Sequence, residues 1–209
     1  VKKLSVSILD RELFCITGRI LTKSNFSQQQ KVLVADLKIP FHCADDDLGW
    51  KPVSQVFPRL DADWKSWLLD PGSLTQRLKI KSHQEFRVSV LDQSWKRHYS
   101  PALLQCFDEH IVHQTMWSRK VVLIGMNTPW VTAHSLIPAD SLRGPLQRIC
   151  KLQNRPLGEF LFRHPSLQRR HFEVARAGDG WGRRSIFYLF GKPLLVAEFF
   201  LPAILHNSK

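Results

Sequence analysis

The sequence predicts an α+β fold built on one antiparallel sheet, and three observations carry the prediction. Strand-like runs in the second half of the 209-residue chain follow one another across short turns. A parallel sheet would need a long crossover between neighbouring strands, and these turns leave no room for one. Helix-like patterns sit near both ends of the core instead of alternating with the strands.

The elements follow in chain order. Residues 1–45 differ from the rest: they hold a polar stretch with Gln28, Gln29 and Gln30, one strand-like run over 31–39, and then lead into Asp45-Asp46-Asp47. They are read as an N-terminal appendage of no assigned structure, with residues 46–209 forming the main domain. Trp64, Trp67 and Leu68 recur at helical spacing after Asp61 and Asp63, either of which can cap the helix. Pro71-Gly72 breaks it. Ser73 reads as an N-cap for a second short helix with Leu74 and Leu78 on one face. Phe86, Val88 and Val90 alternate with polar residues as in a strand. Residues 117–124 and 130–137 flank a turn and form a hairpin. A helix is expected over 141–152 and a helical turn over 156–162. Alternation resumes over 171–175, residues 178–182 read as a glycine-rich turn, and 183–190 and 194–201 are strands joined by Gly191-Lys192-Pro193.

Composition narrows the partners. The chain is 44% hydrophobic and 23% charged, which supports a buried core and excludes global disorder. The formal net charge of +12 draws anions: nucleic acid, an acidic membrane surface, or small carboxylates and phosphates. Lys and Arg are spread along the chain, whereas a nucleic-acid binder concentrates them on one helix or tail. A solvated basic surface and no nucleic-acid partner are expected. Cys15, Cys43, Cys106 and Cys150 form no CxxC pair and read as reduced thiols. Residues 4–16 are interrupted by Asp10, Arg11 and Glu12 and make a poor signal peptide. No apolar run approaches the ~20 residues of a membrane span. The protein is expected to be cytoplasmic.

Few side chains are placed for chemistry. Glu198 is the one charged residue in an otherwise apolar strand, on the face shared with Leu194, Val196 and Phe200. A carboxylate on a core face must be paired, hydrogen-bonded or protonated; on an edge strand it would face water. Arg119 shares a face with Trp117, Val121 and Leu123, where a guanidinium can hold a carboxylate through two hydrogen bonds or snorkel to solvent. Together they suggest an apolar pocket with one cation and one acceptor, suited to a small anionic ring compound bearing a hydroxyl. Of Arg183 and Arg184, alternation lets only one face a pocket, and the other reads as a surface charge. Cys106, His110 and His113 have metal-like spacing but no matching second pair, so no metal site is assigned.

The segments Trp67-Leu68-Leu69 with Ser73 to Leu78, Pro129-Trp130, Pro156-Leu157-Gly158, Trp181-Gly182-Arg183-Arg184-Ser185, and Gly191 to Leu195 through Glu198 to Pro202 stand in one order over residues 57–203. As a set they resemble the chorismate pyruvate-lyase family. The resemblance implies a single α+β domain whose helical flaps close over a buried pocket. It implies conversion of chorismate to 4-hydroxybenzoate and pyruvate, the first committed step toward ubiquinone, by a monomer that uses no cofactor. By motif match, Arg119 would grip the ring carboxylate and Glu198 would hydrogen-bond and polarise the ring-hydroxyl end; these two are the catalytic candidates. Leu157 would offer its backbone amide at the same end, and Leu74 would close over the ring. Two positions depart from the family pattern: Leu74 stands in place of Met, and His134 in place of an Arg. If that Arg holds the second carboxylate, turnover is weakened here. The alternative reading is a non-catalytic domain of the same fold that binds aromatic carboxylates.

Overall fold

A computed structural model describes residues 14–16, 19–21, 48–97, 99–107 and 115–206. The chain divides into two compact units, Val1–Lys38 and Ile39–Lys209. In the first, β1 (Phe14–Ile16) pairs antiparallel with β2 (Arg19–Leu21). The strand-like run over 31–39 lies outside the described residues.

The second unit is organised by one seven-stranded sheet. Its strands are β3 (Lys51–Pro52), β4 (Phe86–Lys96), β5 (Met116–Gly125), β6 (Thr128–Pro138), β7 (Gln168–Ala177), β8 (Gly180–Leu189) and β9 (Lys192–Phe200). They lie in the order β3-β7-β8-β9-β6-β5-β4, and every pairing is antiparallel, as the turn-linked runs predict. The turns explain the close connections. Met126 and Asn127 join β5 to β6 with φ of 48° and 59°, and Phe190 and Gly191 join β8 to β9 with φ of 53° and 71°. Two residues at positive φ give the turn whose twist matches that of paired strands.

Among the described residues five α-helices accompany the sheet: α1 (Val53–Val56), α2 (Ala62–Leu68), α3 (Leu74–Lys81), α4 (Pro101–Leu104) and α5 (Leu157–Leu161). The expected pair α2–α3 is present, with the Ser73 hydroxyl accepting from the Gln76 amide at 3.4 Å. Asp61 precedes α2 without a side-chain capping bond. Two local expectations are corrected. The stretch over 141–152 is not an α-helix; it winds as 3-10 turns, Ala139–Ser141 and Gly144–Lys151. Pro145 removes an amide donor beside Gly144 at φ +59°, which favours the tighter winding. Residues 180–182 belong to β8, not to a turn. A Cβ on Gly182 would stand 2.8 Å from the Phe199 ring, so this glycine serves close strand packing.

The core forms three clusters. One face of the sheet carries two. Trp64, Trp67, Leu68, Leu74 and Leu78 of the α2–α3 pair pack on Val121, Leu123, Trp130 and Phe200. Leu142, Leu146, Ile149, Leu157 and Leu161 pack on Ile137, Phe187, Leu194 and Val196. The third holds Leu103, Cys106 and Phe107 with Leu136, Ile186, Leu195, Ala197 and Phe199. Leu195, Ala197 and Phe199 alternate along β9 with Val196, Glu198 and Phe200, so this cluster covers the opposite face. Among the described residues no helix is long and apolar enough to cross a membrane.

Candidate active site

A cavity lies at the seam between the two clusters that share a face. Leu74 and Thr75 of α3, Val121, Leu123, Ala133 and Val196 of the sheet, and Leu157, Gly158 and Leu161 of α5 form most of its wall. Into it project Arg119 from β5, Arg169 from β7, Arg183 from β8 and Glu198 from β9. Strand alternation accounts for three of these. Glu198 stands opposite both Ala133 and Arg183, and Arg119 opposite Ser135, so all point to one face.

Arg119 is 2% exposed. One terminal nitrogen donates to the carbonyls of Gln153 at 2.8 Å and Arg155 at 3.1 Å, while its Nε is buried with no partner. Burial pushes its pKa down to about 10, which leaves it cationic at neutral pH. An unsatisfied donor on a desolvated guanidinium is a standing cost that an anionic ligand removes.

Glu198 is paired. Its Oε2 accepts from Arg183 Nε at 2.6 Å. The other side of the Arg183 guanidinium donates to the carbonyls of Trp67 and Leu68 at 3.1 Å and of Asp70 at 3.2 Å. The Trp67 and Leu68 carbonyls lie at the C-terminal end of α2, with Asp70 just past it, where the helix dipole favours a cation. Arg183 therefore ties the turn between α2 and α3 to the carboxylate in the cavity. Arg169 reaches the same turn, donating to the Asp70 carbonyl at 3.2 Å and to the Ser185 hydroxyl at 2.8 Å. Its pKa is also lowered to about 10, first by burial and then by Arg183.

Arg184 corrects an expectation. It points to the other face, yet it is buried, and its Nε pairs with Glu173 at 2.6 Å. Part of the basic composition is thus spent inside the fold rather than on a solvated surface. His134 also lies on the far face, its Nε2 2.9 Å from the Ser118 hydroxyl. His134 therefore faces away from the cavity and is not part of its wall.

Gly158 sets the fit of α5 against α3. A Cβ there would meet the Thr75 hydroxyl oxygen at 2.7 Å. Gly158→Ala is expected to displace α3 and destabilise the fold by about 1–3 kcal/mol, the usual cost of overpacking. Chemical denaturation measures this, and unchanged stability would show that the two helices separate freely.

The chorismate lyase family model matches residues 46–209. The chain belongs to the chorismate lyase family. Among relatives of the family, the probable chorismate pyruvate-lyase of Chromohalobacter salexigens is 38% identical over 168 residues, covering 74% of this chain and 89% of that protein. The chorismate pyruvate-lyase of Sodalis glossinidius is 35% identical over 165 residues, covering 75% and 86%. Among solved structures, the C-terminal domain of the histidine utilization repressor from Pseudomonas syringae gives a TM-score of 0.44 at 12% identity, covering 59% of this chain and 96% of that one.

All four residues proposed from the sequence of this family member (Leu74, Arg119, Leu157 and Glu198) line the one cavity. Sequence reasoning left Arg183 undecided between pocket and surface, and it missed Arg169. Alternation puts only one of Arg183 and Arg184 toward the cavity, and the register of β8 on β9 decides that it is Arg183. Arg169 was not open to discovery, because a register shift between Arg170 and Phe172 resets the faces of β7.

Proposed function

We propose that this protein is a chorismate pyruvate-lyase, eliminating the enolpyruvyl ether of chorismate to release pyruvate and leave 4-hydroxybenzoate. The observation that carries the reading is the charge of the cavity. Three guanidinium groups and one carboxylate line it, an excess of two positive charges by subtraction. Chorismate is a dianion with one carboxylate on the ring and one on the enolpyruvyl arm. An apolar pocket with a net charge of that size selects it over neutral or monoanionic rings.

In this reading Arg119 grips the ring carboxylate through the donor that otherwise lacks a partner. Glu198 accepts a hydrogen bond from the ring hydroxyl and is held in orientation by Arg183 across it. The Leu157 amide binds at that same end, and Leu74 closes the ring from the α3 side. Arg169 takes the enolpyruvyl carboxylate. Breaking the ring C–H and the ether C–O bond makes the ring aromatic, and a proton equivalent to the one lost from the ring carbon ends on the enolpyruvate methylene to give pyruvate, so the driving force lies in the substrate. The residues hold the reactive conformer in a dry site and stabilise the charge moving onto the leaving enolpyruvate. Residues 46–209 form the catalytic domain and residues 1–45 an appendage to it. We place the reaction in the cytoplasm, at the first committed step of ubiquinone formation, carried out by a monomer without a cofactor.

The direct test is to incubate the purified protein with chorismate and follow 4-hydroxybenzoate and pyruvate in equal amounts. Tight binding of the ring compound without product would instead mark a non-catalytic binding domain. Arg169→Met separates the two carboxylate subsites. It is expected to raise KM for chorismate at least ~10-fold, as for one lost charge-assisted contact, while 4-hydroxybenzoate, which lacks the second carboxylate, binds as before. Equal losses for both ligands would remove Arg169 from that role.

A further inference from the structure

The face of the sheet opposite the cavity carries a second cluster of reactive side chains. Cys106 Sγ, a ring nitrogen of His171 and a carboxylate oxygen of Glu173 all lie within 4.8 Å of one another. Zinc holds thiolate sulfur at ~2.3 Å and imidazole or carboxylate atoms at ~2.0 Å, so donors around one tetrahedral ion stand roughly 3.3–3.8 Å apart. Contraction of at most about 1.5 Å would bring the three to bonding distance. The set mixes a soft thiolate, an imidazole and a carboxylate, which suits zinc and excludes calcium or magnesium.

The backbone arranges this convergence. With unbroken alternation, residues 169, 171 and 173 would share one face of β7. The shift between Arg170 and Phe172 leaves Arg169 on the cavity face and turns His171 and Glu173 to the other. His171 takes φ +47° to do so, a conformation that costs of order 1 kcal/mol in a non-glycine residue. Cys106 is held by its core contacts just past α4, its amide donating to the Leu103 carbonyl at 3.1 Å. Arg184 Nε fixes the Glu173 carboxylate through Oε2 at 2.6 Å, and His171 Nε2 sits 3.0 Å from that same oxygen. Arg184 serves as the outer hydrogen-bond donor that a ligating carboxylate needs. The His171 side chain is 39% exposed, which opens a path for entry.

We propose that Cys106, His171 and Glu173 form a site for one zinc-class divalent ion, which ties the segment over 99–107 to β7 on the face away from the cavity. Binding releases the Cys106 thiol proton and also the proton that the hydrogen bonds to Cys106 and Glu173 favour on the His171 ring, leaving an ion of charge +2 between two anionic ligands and one neutral imidazole. Water fills the fourth position. The role is structural, and the chemistry of the cavity proceeds without it.

Cobalt(II) tests this on the full chain. Metal-free protein titrated with Co²⁺ should develop thiolate-to-cobalt charge-transfer absorption at one equivalent, reversed by Zn²⁺, and Zn²⁺ should raise the melting temperature. Cys106→Ser should abolish the band, and His171→Ala and Glu173→Gln should each weaken cobalt binding at least ~10-fold. Metal-free melting curves show whether each variant folds; if Cys106→Ser does not, the other two decide. Absence of the band in wild type overturns the proposal. So does a band lost in Cys106→Ser but kept at full affinity in both His171→Ala and Glu173→Gln, which would assign the ion to donors outside this set.

Discussion

Arg119→Ala is expected to lower kcat/KM for chorismate by at least ~10²-fold, the low end for losing a positioned charge in a dry site. The side chain is wholly enclosed, it makes its bonds to the carbonyls of Gln153 and Arg155, and its Nε faces no acceptor. In the proposed function a ligand carboxylate becomes the partner of this guanidinium. Unlike Arg169→Met, this change should weaken chorismate and 4-hydroxybenzoate alike, because both carry the ring carboxylate. Arg119→Lys keeps the charge but loses the planar fork, and should recover only part of the rate. Steady-state kinetics and product binding measured on the same variants check the pattern. Near-normal turnover in Arg119→Ala would remove it from the site.

Glu198→Ala is expected to produce a loss of similar size, at least ~10²-fold in kcat, the low end for a positioned acid–base or polarising group. Two effects combine. The ring hydroxyl loses its acceptor, and the buried Arg183 loses its carboxylate. Arg183 still holds the carbonyls of Trp67, Leu68 and Asp70, so the α2–α3 turn should remain attached. The Glu198 side chain is 17% exposed, so the loss of stability should be about 1–3 kcal/mol rather than that of a fully enclosed pair. Glu198→Gln keeps an acceptor oxygen and removes the charge. A rate close to wild type in that variant would make Glu198 a hydrogen-bonding group only; a rate as low as that of Glu198→Ala would require its charge. Chemical denaturation beside the kinetics separates lost activity from lost fold.

Both residues were legible because strands report their own faces. Glu198 stands out from Val196 and Phe200 whatever the sheet around it, and Arg119 stands out from Val121 and Leu123 in the same way. The partners were not legible. Arg183 and Glu198 are brought opposite each other by the register of β8 on β9. Hairpin turns made of two positive-φ residues set that register, and Phe190 is not a residue that advertises one. Arg169 depends on a bulge that no composition signal marks. The 3-10 winding over 144–151 likewise follows from packing on Phe187 and Val196 as much as from Pro145.

The amino-acid sequence alone determined the antiparallel character of the sheet, the pair of short helices of which the second is capped by Ser73, and the two lone charges on apolar strands. These are local properties: turn chemistry, the period of side-chain alternation, and a single capping hydroxyl. Tertiary structure decided what those charges meet. It gathered four ionisable groups from four strands into one cavity with two positive charges in excess, turned His134 and Arg184 away from it, and set Cys106 beside His171 and Glu173 across 65 residues of chain. The reason is physical: which face a side chain takes is written in its own strand, but which side chains share that face is set by register and bulges summed over several strands.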